Sequence, residues 1–156
     1  MIGFTIFILV VGFLSLIFAK YLADVIHKQE TGNEKMNEIS DAIHEGSMAF
    51  LKREYKVMAW FIVVMGLIIA LFLDHPSTSF NEAPWTALSF VLGCVFSMVA
   101  GYIGMKIATK TNVRTTQAAR TSLPNALKIS FGGGTVMGLG VAGLAVLGLT
   151  SFFIFF

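Results

Sequence analysis

Charged residues are scarce in this sequence, and their scarcity indicates the class of protein. They make up 13% of its 156 residues, whereas hydrophobic residues make up 56%. Soluble domains carry about 25% charged residues, so this composition could not cover a surface that faces water. The sequence therefore predicts a membrane protein. Its formal net charge of +2 is too small to indicate a nucleic-acid partner.

Recognisable catalytic motifs are also missing. The single cysteine, Cys94, excludes a disulfide within these residues. The sequence has no paired His and Cys ligands, no Gly-x-Ser-x-Gly motif and no carboxylate cluster suited to several magnesium ions. The histidines, His27, His44 and His75, lie in polar stretches, and we expect them to be solvated. The residues themselves therefore indicate no catalytic, cofactor-binding or metal-binding residue.

Four long apolar runs predict transmembrane helices. A helix that crosses about 30 Å of hydrocarbon needs about 20 residues, and each run is long enough. Before the second run, apolar and charged residues alternate at helical spacing in 34–46, so an amphipathic cytoplasmic helix leads into that span, with Asn33 as its N-cap. The predicted fold is all-α, a polytopic transmembrane helix bundle. The predicted spans are residues 1–26, 47–73, 85–110 and 130–156.

Small residues form stripes along the third and fourth spans. Helices in lipid gain little from hydrophobic burial, so close approach over small side chains matters more. We therefore expect the stripe on the third span to contact another helix rather than lipid. A Gly-Gly-Gly run at 132–134 indicates packing or a flexible helix start, because the lysine of a phosphate-binding loop is missing. The third span carries two sets at steps of four, Gly93, Ser97 and Gly101, and Ala100, Gly104 and Ala108. The stripe on the fourth span consists of Ser130, Gly134, Gly138 and Ala142, and Gly140, Gly143 and Gly148 widen it.

The distribution of lysine and arginine predicts the orientation. Of eleven such residues, six lie in 20–56 and five in 106–128, and the intervening stretches hold none. Lysine and arginine near spans stay on the cytoplasmic side. We therefore expect a multi-pass protein of the cell membrane (plasma or inner membrane) whose N-terminus lies outside. The basic segments 27–46 and 107–129 would then be cytoplasmic loops.

No Asp, Glu, Lys, Arg or His lies in the middle of a predicted span, and ion paths through membranes normally use such groups. The residues therefore fit a non-enzymatic tetraspan scaffold better than a small proton-coupled exporter, which needs an ionisable group within a span. The last residues, 152–156, are apolar and have no polar flank. We accordingly expect the chain to be an N-terminal piece of a longer protein.

Three stretches carry further information. They are EGSMAFLKREYK at 45–56, AGYIGMKIATKTNVRTTQAAR at 100–120 and ALKISFGGGTVMGLGVAGLAVLGL at 126–149. Together they resemble the N-terminal region of the membrane-bound, ion-translocating inorganic pyrophosphatases. The resemblance covers nearly the whole chain, and the stretch at 100–120 is its most specific part.

The resemblance implies a larger all-helical pump that acts as a homodimer and pairs this segment with further transmembrane helices in the lipid bilayer. Such a pump hydrolyses pyrophosphate with Mg²⁺ on the cytoplasmic side and moves protons or sodium ions outward, and K⁺ is a further candidate cofactor. In that family the residues that hold magnesium pyrophosphate come from later spans. The resemblance therefore assigns this segment a peripheral scaffold role, with no catalytic residue and no bound cofactor or metal.

Overall fold

The structure is a computed structural model, and it describes residues 2–73 and 83–155. These residues form four α-helices and no strand. Each helix is long and apolar enough to cross a membrane. The predicted all-α transmembrane bundle is therefore confirmed. The helices are α1 (Ile2–His27), α2 (Glu34–Phe72), α3 (Ala83–Ala119) and α4 (Leu123–Phe155).

The α1–α2 connection ends in the predicted helix cap. Gly32 has a φ of 86°, a conformation that glycine adopts without steric cost. The next residue, Asn33, accepts a hydrogen bond from the backbone N–H of Met36 at 2.9 Å, which satisfies one of the free donors of the first turn. From there α2 runs for 39 residues without a break. The amphipathic helix and the second apolar run are thus one helix.

The predicted basic loop at 107–129 is wrong, because most of it is helical. The α3 helix continues to Ala119 and α4 begins at Leu123, which leaves only residues 120–122 between them. Neither glycine nor proline interrupts 105–119. Threonine hydroxyls in this stretch bond back to carbonyl groups of their own helix, Thr109 to Met105 at 3.0 Å and Thr111 to Ile107 at 2.8 Å. Polar residues are thereby accommodated in a helix that extends beyond the apolar part.

The start of α4 lies earlier in the sequence than predicted. The carbonyl of Ser122 accepts the N–H of Ala126 at 3.0 Å, and its side-chain oxygen accepts the N–H of Asn125 at 3.4 Å. Pro124 fits the first turn, where its missing N–H would have no helical partner. The run Gly132, Gly133 and Gly134 consequently lies well inside α4 rather than at a helix start.

The helices are arranged in the order α2, α3, α4, α1. The α3 helix packs extensively on both α2 and α4, and α1 packs mainly on α4 with a smaller contact to α3. Among the described residues, α1 and α2 do not touch. The C-terminal ends of α1 and α3 and the N-terminal ends of α2 and α4 share one end of the bundle, since Arg114 contacts His27 and His44 contacts Thr109. Both basic stretches meet there, and this end is called the basic end below.

The buried core lies between α1, α3 and α4. It includes Ile26, Ile107 and Val136, of which Val136 is 2% exposed. Large apolar side chains cover the outer surface instead, as at Trp60, which is 72% exposed. A bilayer, unlike water, is a compatible solvent for such side chains.

The small-residue stripe predicted on α4 is only partly the side on which that helix packs in this structure. Its regular members, Ser130, Gly134, Gly138 and Ala142, are exposed within the described part of the chain, whereas Gly140, Gly143 and Gly148, which widen it, are buried. The α4 helix contacts α1 and α3 on adjacent faces. Its other buried residues are Ala126, Ile129, Gly133, Val136 and Thr150.

Candidate functional site

Tyr55 joins α2 to α3. Its hydroxyl donates a hydrogen bond to the backbone carbonyl oxygen of Met98. Gly101, about one turn further along α3, leaves space for the ring, because a Cβ at that position would lie 3.2 Å from the Tyr55 hydroxyl oxygen. A hydroxyl in contact with lipid needs an acceptor from the protein. The contact therefore satisfies the hydroxyl and sets the spacing of the two helices.

Ser15 joins α1 to α4 in the same way. Its hydroxyl donates to the carbonyl oxygen of Leu139 at 2.8 Å. One turn later, a Cβ at Gly143 would lie 3.0 Å from the Ser15 oxygen and 2.8 Å from the side chain of Leu16. In both contacts, a hydroxyl bonds to a neighbouring backbone and a glycine permits the approach.

The contact between α3 and α4 depends on further glycines. The tightest is Gly133, where a Cβ would lie 2.7 Å from Thr111 Cγ2. A Cβ at Gly104 would lie 3.0 Å from the Met137 side chain. The Gly-Gly-Gly run was therefore correctly assigned a packing role, although it does not begin a helix.

The stripe predicted on α3 makes only part of its expected contact. Gly101 lies against α2, whereas Gly93 and Ser97 are exposed. Together with Gly148 of α4 they line an open groove of about 560 Å³ between α3 and α4. The expectation of a helix contact is thus met at Gly101, at the buried Ala100 and at Gly104, which lies against Met137. Within 2–73 and 83–155 it is not met at Gly93, Ser97 or Ala108.

At the basic end, Arg114 connects α3 to the last residue of α1. Its Nη2 donates to the carbonyl oxygen of His27 at 3.2 Å, and its Nη1 donates to the carbonyl oxygen of Lys110 at 2.7 Å. Free carbonyls at a helix C-terminus carry partial negative charge, so a guanidinium there is favourable. Two polar atoms nearby, Arg114 Nε and Thr115 Oγ1, are buried without a partner within the described part of the chain.

The prediction that His44 is solvated is wrong. It is half-buried, and its Nδ1 lies 2.8 Å from the hydroxyl oxygen of Thr109. The same hydroxyl lies 3.0 Å from the Met105 carbonyl oxygen and 3.2 Å from that of Lys106. When it donates to its own helix, the His44 Nδ1 is the donor of the contact between α2 and α3, so the tautomer of His44 decides the direction of that bond. The His27 side chain is exposed, as expected, and His75 lies outside the described residues.

The described residues do not fit a metal site. No group of three or more His, Cys, Asp or Glu side chains comes together within 2–73 and 83–155. The interhelical polar contacts are made by hydroxyl, imidazole and guanidinium groups to neighbouring hydroxyl or carbonyl groups. The arrangement can hold helices in register, and it offers no ligand set for a divalent cation.

Sequence reasoning missed most of these contacts. Serine in an apolar run is common, and Tyr55 beside lysines is typical of the membrane–water interface, so neither Ser15 nor Tyr55 was expected to join two helices. The sequence feature that could have indicated these contacts is a hydroxyl side chain in one apolar run together with glycines in another. Deciding which pair meets required the helix neighbours, which the sequence did not give.

The long apolar helices and their shared basic end define a polytopic membrane protein. The sequence model of the family described as inorganic H⁺ pyrophosphatase matches residues 13–156. The chain therefore belongs to this family.

Its relatives are named as pyrophosphate-energized pumps. A putative K⁺-stimulated pyrophosphate-energized sodium pump of Clostridium tetani is 47% identical over 137 residues, which is 88% of this chain and 19% of the relative. A K⁺-insensitive pyrophosphate-energized proton pump of Methanosarcina mazei is 44% identical over 93% of this chain and 21% of the relative. A protein of the same description from Pyrobaculum aerophilum is 38% identical over 100% of this chain and 21% of the relative. The chain thus spans about a fifth of the length of these relatives.

Proposed function

We propose that this chain is the N-terminal part of a membrane pump that hydrolyses inorganic pyrophosphate and uses the released energy to move protons or sodium ions outward. The family match over residues 13–156 carries the proposal. The names of the relatives, which include both proton and sodium pumps, support it. Because the chain spans about a fifth of their length, the activity is assigned to the full-length protein.

Within that pump, this segment is a peripheral scaffold without catalytic residues. The contacts of Ser15 and Tyr55 support this role, because each uses a polar side chain to join two helices. The Mg²⁺ that pyrophosphate hydrolysis would need is assigned to other parts of the protein, since the described residues hold no suitable ligand group. Further transmembrane helices of the same protein, the lipid bilayer and a second copy of the pump are the proposed partners.

The proposed location is the cell membrane, with the basic end in the cytoplasm and the N-terminus outside. The support is the meeting of both basic stretches at one end of the bundle, together with the retention of lysine and arginine on the cytoplasmic side. A cysteine introduced at the exposed Lys128, in the full-length protein, should react with an impermeant thiol reagent only in inverted vesicles. Labelling in intact cells would refute this orientation.

A hydrolysis assay tests the proposed activity. Membranes that contain the full-length protein should release phosphate from pyrophosphate when Mg²⁺ is added, and membranes from cells with the empty vector should not. Titration with Na⁺ and K⁺ then identifies the pumped ion and any K⁺ requirement. Absence of Mg²⁺-dependent release from a full-length protein that is shown to be inserted and folded would refute the proposal.

Ion transport requires a separate measurement. Inverted vesicles that contain the full-length protein should acidify inside, or take up Na⁺, when pyrophosphate is added. A protonophore should abolish acidification by a proton pump and leave Na⁺ uptake by a sodium pump intact. Hydrolysis without movement of either ion would show a pyrophosphatase that is not a pump.

A further inference from the structure

Three cationic side chains lie along one face of α3 at the basic end. Lys106, Lys110 and Arg114 are spaced four residues apart, and residues at this spacing are neighbours on a helix surface. The Lys106 ammonium lies 5.8 Å from the centre of the Tyr102 ring, one turn earlier on the same face. The face is therefore a continuous cationic stripe.

The end of α1 closes one side of this stripe. Arg114 reaches the His27 carbonyl oxygen at 3.2 Å. Asp24, three residues before His27, is the nearest acid along α1. The stripe and the end of α1 thus form one cluster. It is called the cationic notch below and consists of His27, Lys106, Lys110 and Arg114.

The positive charge of the notch is not balanced by carboxylates. Within residues 2–73 and 83–155, the sole ion pair is Lys35 with Glu38, which lies on α2. Like charges four residues apart on a helix repel each other by a few tenths of a kcal/mol. Lys110 is moreover half-buried, so water screens it less than a surface lysine. No ion pair in the described part of the chain offsets this repulsion.

Unused hydrogen-bonding capacity accompanies the charge. Arg114 donates two hydrogen bonds to carbonyl oxygens, but its Nε is buried without a partner in the described part of the chain. The adjacent Thr115 hydroxyl is also buried without one. Buried polar groups are normally paired, and a bound ion is one of the partners that account for such an orphaned group.

We propose that the cationic notch binds a phosphate-bearing anion. Ammonium and guanidinium groups are the side chains that bind phosphate oxygens in proteins, the former as point charges and the latter as a fork of donors. A lipid headgroup and free inorganic phosphate share this chemistry, and both can reach the end of a transmembrane bundle. The proposed site consists of residues of this segment, so it does not rest on the proposed pyrophosphate hydrolysis.

Residue-resolved lysine labelling tests the site in the full-length protein. An amine-selective acylating reagent is applied, and mass spectrometry gives the labelling rate of each lysine. Bound anion should slow labelling of Lys106 and Lys110 by a factor of 1 + [L]/Kd, about tenfold at about ten times the Kd. Lys52, an exposed lysine of α2, is the internal control. Chloride at equal ionic strength corrects for screening.

Two arms distinguish the sources of phosphate. In the first, inorganic phosphate is added to protein in nanodiscs of phosphatidylcholine. In the second, phosphatidylglycerol is included in the nanodiscs and no phosphate is added. Protection of both notch lysines in either arm supports the site and identifies its ligand. Labelling of both notch lysines at the rate of the protein without added anion in both arms, or equal slowing of Lys52, would overturn the proposal.

Variants show whether the notch itself is responsible. Arg114→Gln should abolish the protection of Lys106 and Lys110, whereas Arg53→Gln, at an exposed arginine of α2, should leave it intact. Should loss of the His27 contact prevent folding, Lys106→Gln is the substitute, with Lys110 as the reporter. Full protection in a folded Arg114→Gln or Lys106→Gln variant would overturn the proposal. A measurement of pyrophosphate hydrolysis is not involved, so failure here leaves the proposed function untouched.

Discussion

Replacement of Gly133 by alanine is the sharpest test of the packing between α3 and α4. The new Cβ would lie 2.7 Å from Cγ2 and 2.8 Å from Oγ1 of Thr111. That side chain cannot move away easily, because it is β-branched and its hydroxyl is bonded to the Ile107 carbonyl oxygen at 2.8 Å. The backbones of α3 and α4 must therefore separate.

The expected magnitude follows from two opposing effects. Overpacking of a close contact costs about 1–3 kcal/mol, and alanine in place of glycine inside a helix gains about 1 kcal/mol. Gly138→Ala in the same helix gives the second effect alone, since no described atom lies within 4 Å of its Cβ position. Gly133→Ala should consequently be less stable than Gly138→Ala by about 1–3 kcal/mol.

Thermal unfolding of the purified full-length variants, at one fixed heating rate because membrane proteins often unfold irreversibly, measures this difference. A second variant tests the cause. Thr111→Ala removes the two closest atoms, so it should cancel much of the penalty of Gly133→Ala, with a coupling energy of about 0.5–3 kcal/mol. Additive effects of the two substitutions, or equal stability of Gly133→Ala and Gly138→Ala, would refute the steric argument.

Three further predictions concern α2. Tyr55→Phe should destabilise the full-length protein by about 0.6 kcal/mol and at most about 1.7 kcal/mol, the range for interhelical hydrogen bonds in membranes. Tyr21, an exposed tyrosine, is the control in the same unfolding assay. An equal effect of Tyr21→Phe would contradict this prediction. Asn33→Ala should cost about 1 kcal/mol and speed amide exchange in the first turn of α2, whereas Asn33→Asp keeps the acceptor and should not. Gly32→Ala should lower the unfolding midpoint, because its φ of 86° is costly for a residue with a Cβ. Gly46→Ala, with open space at its Cβ position, should not lower it. A lower midpoint for Gly46→Ala than for Gly32→Ala would contradict this explanation.

Local features of the sequence predicted the helices well. Length and hydrophobicity are properties of each segment alone, so the apolar runs indicated membrane-crossing helices without knowledge of their neighbours. The cap at Asn33 was predicted for the same reason, because its partner, Met36, lies three residues away. The family was also recognisable from stretches such as 100–120, within the region that the family match covers.

Features that depend on a neighbouring helix were predicted poorly. The charged residues of 107–119 were interpreted as a loop, although His44 of α2 bonds to Thr109 there and the stretch is helical. On α4, the regular stripe at steps of four includes Gly134, which is exposed, whereas the adjacent Gly133 is buried. Spacing alone cannot tell which side of a helix meets a partner when two partners lie on adjacent faces.

The contact between α1 and α4 sets an order of events during synthesis. The hydrogen bond of Ser15 can form only after Leu139 has been synthesised, and Leu139 lies 124 residues later in the chain. At about 5–20 residues per second, that interval is roughly 6–25 seconds. Throughout it α1 resides in the bilayer without its main neighbour, with the Ser15 hydroxyl unable to reach its acceptor. The α1 helix must therefore be stable in the bilayer before α4 has been made. Its many phenylalanine, leucine and isoleucine residues allow this, because apolar side chains are compatible with contact to lipid on all sides.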